Sequence, residues 1–139
     1  SVDRPEFVVQ VAANRVEIGE FNRWAAPLGD AIARTVAGNL TVLLGSPRVV
    51  TAPLANFDAN YRVTIDVQRF ESVPGEAVVF DAVWAARGSR GTAGRPGRTT
   101  ARETVPDATY DALAAAHSRA LATMSGEIAA AIRAAAGKR

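Results

Sequence analysis

The stretch NYRVTIDVQRFESVPGEAVVFDAVWAAR, residues 60–87, decides the fold class. In its first arm Tyr61, Val63, Ile65 and Val67 alternate with Arg62, Thr64, Asp66 and Gln68. A strict period of two predicts a strand over 60–70 with one buried and one wet face. Pro74-Gly75 marks a turn. In the second arm, 76–87, Val78, Phe80, Ala82 and Trp84 share a face while Val79 and Val83 make the other face apolar as well. That pattern predicts a central strand covered on both sides.

Working outward, GSRGTAGRPGR (88–98) holds four Gly and one Pro, the composition of a long, mobile hairpin tip. RTTARETV (98–105) alternates more weakly and reads as a strand nearer the sheet edge. Upstream, PRVVTA (47–52) is a short β-branched run, and EFVVQVA (6–12) and RVEIGEF (15–21) read as two strands around an Ala-Asn turn. Between them Leu28, Ile32, Val36, Leu40, Leu43 and Leu44 recur at helical spacing. Pro27 suits the first turn of that helix, and Gly45 followed by Pro47 supplies the stop. A closing helix over 109–136 carries Tyr110, Leu113, His117, Leu121, Met124, Ile128 and Ile132 on one face, with Asp107 or Thr109 as cap.

Two amphipathic helices and a set of half-buried strands predict an α/β or α+β sandwich: a mixed, largely antiparallel sheet with two long helices, in a single domain over 1–139. The chain length agrees with one core. Hydrophobic residues at 48% and charged residues at 22% separate it from disordered chains. The net charge of +2 gives no strong pull toward nucleic acid. Zero Cys excludes disulfides and thiolate chemistry, and a single His excludes a multi-histidine metal site. No run of about 18 apolar residues is present to span a bilayer. The opening SVDRPEF, with neither an initiator Met nor an apolar leader, fits a processed or trimmed start.

Catalytic sets are hard to assemble from these residues. A Ser-His-Asp arrangement would need His117 with Ser118, Ser125 or Asp111, yet on a helix Asp111 and Ser118 point away from His117. Asp66 and Asp81 could meet across the hairpin, with Arg62 and Arg69 on the same stretch to pair with them. Gly88, Gly91 and Gly94 precede no helix, so they form no phosphate loop. Arg87, Arg90, Arg95, Arg98 and Arg102 crowd sixteen residues beside Glu103, a patch for an anionic surface but one without an aromatic for base stacking. Trp84 belongs in the core; Trp24 is either a lid or an interface anchor.

Several segments together resemble one family. RPEFVVQVAANRVEIGEFNRWAAPLGDAIARTVAGNLTVLLG, with Arg4-Pro5, Asn14-Arg15, Phe21 to Trp24 and Pro27-Leu28, is similar to the auxiliary lipoprotein components of ABC-type or MCE-type transport, the PqiC (DUF330) family. YRVTIDVQRF, VVFDAVW and YDALAAAHSRALATMSGEIAAAI extend the likeness from Asp3 to Ile132. The resemblance implies a non-catalytic periplasmic lipoprotein without cofactor or metal. It implies an MCE-domain protein and a transporter permease as partners, and an outer-membrane anchor on a lipidated Cys upstream of this sequence. Phe21, Arg23 and Trp24 are then the candidate interaction surface, for a homo-oligomer or the MCE partner, and Arg90, Arg95 and Arg98 the candidate contacts to an anionic surface. Two other classes stay open on the residues alone: a small hydrolase or isomerase using Asp66, Asp81 or His117, and a nucleic-acid-binding module using the arginine loop.

Overall fold

A computed structural model describes residues 6–12, 25–45, 48–51, 61–73, 75–88, 95–107 and 109–137. The elements run β1 (Glu6–Ala12), α1 (Ala25–Leu44), β2 (Arg48–Thr51), β3 (Tyr61–Val73), β4 (Ala77–Gly88), β5 (Arg95–Thr104) and α2 (Tyr110–Gly137). The strands form one mixed sheet in the order β2-β1-β3-β4-β5. β1 pairs in parallel with β2 and β3, whereas the longer β3–β4 and β4–β5 pairings are antiparallel. The expected sandwich and meander are therefore present, and β5 lies at the sheet edge. The expected strand at 15–21 lies outside the described residues.

The buried face follows the sequence alternation. Val63, Ile65 and Val67 of β3 and Phe80, Ala82 and Trp84 of β4 are in one core with Ile32, Val36 and Leu40 of α1 and Leu121, Met124, Ile128 and Ile132 of α2. Alternation breaks after Val67, and a bulge resolves it. The register shifts between Val67 and Arg69, so the extra residue, Gln68, restores Phe70 to the core side opposite Phe80. Their rings meet edge to face with centroids 5.0 Å apart. The strand consequently continues to Val73, three residues past its expected end.

Two other expectations are corrected. β4 is central, but α1 and α2 pack on the same side of the sheet, and Val83 on the opposite side is 40% exposed. The two apolar faces of β4 therefore do not mean two-sided cover among the described residues. The hairpin arm is also longer than its composition suggests: β4 reaches Gly88 and β5 starts at Arg95, leaving only 89–94 between the strands, outside the described residues.

Helix ends obey local chemistry. Gly45 closes α1 at φ 79°, a left-handed conformation that a β-carbon disfavours. Thr109 Oγ1 accepts from Ala112 N at the start of α2, and Asp107 accepts from both Thr109 N and Thr109 Oγ1. These bonds to Thr109 hold the Asp107 carboxyl below its ordinary range. No basic residue of α1 itself occupies its last turn; Arg133 of α2 instead donates to the Leu43 carbonyl. Asn39 Nδ2 donates to Ser125 Oγ, which donates to the Leu121 carbonyl, satisfying a fully buried hydroxyl between the helices.

Candidate functional site

The face of β3, β4 and β5 turned away from the helices carries the charged and polar alternates. Register places Arg62 opposite Arg87, Thr64 opposite Ala85 and Pro96, and Asp66 opposite Val83 and Arg98. Beyond the bulge, Arg69 faces Asp81 and Thr100, and Glu71 faces Val79 and Arg102. On β1, beyond β3, Val8 on this side is buried. An open groove of about 420 Å³ crosses the face, lined by Gln10, Val11, Thr64, Ile65, Asp66, Val83, Trp84, Ala85 and Pro96.

The ion pairs on this face differ from those expected. Arg98 grips Asp81 with both ends of its guanidinium, Nε to Oδ1 at 2.9 Å and Nη2 to Oδ2 at 2.7 Å. Arg69 pairs with Glu71 at 2.8 Å. Each guanidinium is held above its ordinary value by the hydrogen bond to its carboxylate, and Glu71 below its own. Arg62 pairs with neither aspartate and, like the exposed Arg87 opposite it, makes no ion pair among the described residues. Asp66 and Asp81 therefore do not form a carboxylate pair: Asp81 is neutralised by Arg98, and Asp66 stands apart opposite Val83.

On the helix side, His117 sits half-buried against the edge of Phe70, with ring centroids 4.9 Å apart. A 2.9 Å hydrogen bond joins its Nε2 to Ser72 Oγ. Burial pushes the imidazole below its ordinary value, which keeps it neutral near pH 7. Ser72 was invisible as a partner because it lies 45 residues away and shares the core side only through the bulge at Gln68. The arrangement supplies a base and a hydroxyl; no carboxylate bonds the imidazole among the described residues.

A family model for the ABC-type transport auxiliary lipoprotein component matches residues 1–129. The chain belongs to this family. No curated protein matches the sequence. Among solved structures, a crystal structure of an uncharacterized protein shares 22% identity over 93% of this chain and 92% of its own, at a TM-score of 0.67. The PelC dodecamer from Paraburkholderia phytofirmans shares 17% identity over 86% and 85%, at 0.57. Protein XCC0632 from Xanthomonas campestris, of the DUF330 family, shares 17% over 90% and 81%, at 0.56. At these identities the structural likeness speaks for the fold.

In this auxiliary component the residues singled out from sequence are scattered. Phe21, Arg23, Trp24 and Arg90 lie outside the described residues. Arg95 opens β5 opposite Ala86, while Arg98 lies in the row of Asp66 and Val83, with its charge met by Asp81. No group of three or more metal-ligating side chains occurs among the described residues, and no described helix is long and apolar enough to cross a membrane.

Proposed function

We propose that this auxiliary component acts without bond chemistry, as the periplasmic part of an ABC/MCE-type lipid transport system. It works by contact with an MCE-domain protein and a permease, and it is tethered to the outer membrane by a lipid anchor encoded upstream of Ser1. The match to the auxiliary lipoprotein family over residues 1–129 carries this reading. The scattered titratable groups agree with it: Asp81 is neutralised by Arg98, and the imidazole of His117 shares a hydrogen bond with Ser72. Phe21, Arg23 and Trp24 form the contact surface, because aromatic and Arg residues dominate interface energetics. A PelC structure of the same fold is a dodecamer, which makes self-association the first assembly to test.

The test is genetic and biochemical. The coding sequence upstream of Ser1 should encode a lipidated Cys, and the full-length protein should co-purify with an MCE-domain protein in a Trp24-dependent way. Deletion should impair lipid movement across the envelope, and His117→Ala should restore it as well as the unaltered gene does. Ester or isomerase turnover by the purified domain that disappears in a folded His117→Ala variant would favour the Ser72–His117 pair as a catalytic site and overturn the proposal.

A further inference from the structure

One end of the sheet gathers cations that no carboxylate answers. Register fixes which end it is: Glu6 of β1 pairs with Arg48 of β2, Tyr61 of β3 with Gly88 of β4, and Ala86 of β4 with Arg95 of β5. The three long strands bring 61–65, 84–88 and 95–97 to this end, with Arg62, Arg87 and Arg95 and no acid among them. Asp66, Glu71, Asp81 and Glu103 all lie farther along, toward the turn between β3 and β4. Arg62 and Arg87 stand directly opposite each other, both exposed and neither in an ion pair among the described residues. Like charges so placed repel, and an anion laid against them removes the repulsion.

Both helices finish at the same end. α1 stops at Leu44, just before β2 opens at Arg48, and Arg133 of α2 donates to the Leu43 carbonyl. That acceptor is neutral, so the exposed Arg133 keeps its charge. Here α1 also leaves aliphatic side chains in water: Val42 is 81% and Leu43 38% exposed, and no residue from Gly38 to Gly45 is charged. Val42, Leu43 and Arg133 lie on the helix side of the sheet and Arg62 and Arg87 on the other, so the feature is the end of the domain rather than either face.

We propose that this end docks on an anionic lipid bilayer, with Val42 and Leu43 entering the headgroup region and Arg62, Arg87, Arg95 and Arg133 meeting lipid phosphates. Each cation brought to an anionic membrane surface is worth about fivefold in partition, and aliphatic side chains gain by leaving water. A nucleic acid would answer the same cations but offers nothing to two aliphatic residues. The chain enters the fold here as well, since β1 begins at Glu6. The assignment rests on the tethered reading above and deepens it: an anchor upstream of Ser1 joins the domain at the end that docks.

Vesicle sedimentation of the unlipidated 139-residue protein tests the docking apart from the anchor. Vesicles of phosphatidylglycerol and phosphatidylcholine in equal parts should bind it at least about tenfold more tightly than phosphatidylcholine alone, and less so as salt rises. Arg87→Gln should lose about fivefold, whereas Arg102→Gln, an exposed cation on the same face in the opposite half, should lose little. Neither change touches an ion pair, so both variants should melt with the parent. The chain has no cysteine, so Val42→Cys and Glu76→Cys each take a single environment-sensitive dye. The dye at residue 42 should report transfer out of water on binding, and the dye at residue 76, in the far turn, should not. Equal affinity for the two vesicle types, equal losses for Arg87→Gln and Arg102→Gln, or a response from residue 76 in place of residue 42 would each overturn the proposal. So would an absence of vesicle binding alongside Arg87-dependent binding of an acidic protein, which would mark this end as a protein contact.

Discussion

The indole of Trp84 lies so close over Gly97 that a β-carbon at residue 97 would stand 2.3 Å from its Cζ2 atom. The two residues are register partners on the helix side of β4 and β5, and the missing side chain of one makes room for the ring of the other. Gly97→Ala must displace a ring that is only 6% exposed, so it should destabilise by about 1–3 kcal/mol, the usual cost of overpacking. Gly38, exposed in α1 with nothing within 4 Å of its would-be β-carbon, is the matched control. Gly38→Ala should stabilise by roughly 0.5–1 kcal/mol through helix propensity. Thermal or urea melts of the two variants should move in opposite directions; a shift of the same sign in both would refute the close packing of Trp84 on residue 97.

The same indole anchors a polar chain. Trp84 Nε1 donates to Thr99 Oγ1 at 3.0 Å, and Thr99 Oγ1 donates to Glu127 at 2.5 Å, tying the sheet core to α2. Thr99→Val keeps the shape but strands the buried indole N–H, so a loss of about 1–3 kcal/mol is expected. Thr99→Ser keeps the hydroxyl and should lose less. A larger loss in Thr99→Ser than in Thr99→Val, measured by urea unfolding, would show that the methyl rather than the hydrogen bond matters.

His117 makes stability depend on pH. Its folded-state pKa lies below the ordinary value of 6.5 because burial disfavours the charged ring. The unfolded chain therefore takes up the proton first, and stability falls as pH drops below about 6.5 until the folded state is protonated too. The melting temperature of His117→Gln should fall less between pH 7 and pH 5 than that of the parent. An NMR titration placing the His117 imidazole at or above 6.5 would rule this account out.

Arg98 gives a test of the basic hairpin. Its side chain is 63% exposed although it pairs with Asp81, and exposed pairs contribute little to folding. Arg90, Arg95 and Arg98 replaced together by Ser should leave the melting temperature nearly unchanged and weaken binding to anionic vesicles. The difference should shrink as salt rises, since screening removes the parent's advantage. Vesicle binding indifferent to these three arginines would end their candidacy as anionic-surface contacts.

The sequence by itself determined the described elements and the helix-side face of the sheet. Alternation along 63–67 and 78–84 and the helical spacing from Ile32 to Leu40 and from Leu121 to Ile132 depend only on local geometry, so the residues named from pattern in these spans are the ones in the core. Family membership was legible for the same reason, in the order of those segments. Register, by contrast, is a property of two chains side by side. Only the tertiary structure decided that a bulge at Gln68 turns Phe70 inward and sets Ser72 against His117, or that Trp84 needs a glycine opposite it at residue 97. Partner choice among like-charged groups is equally non-local. Arg62 and Arg69 were as close in sequence to Asp66 as any cation, yet Arg69 turned to Glu71 and Arg98 to Asp81, and the carboxyl of Asp66 was left over the groove unpaired because strand alternation and cross-strand distance, not spacing along the chain, fix which charges can meet.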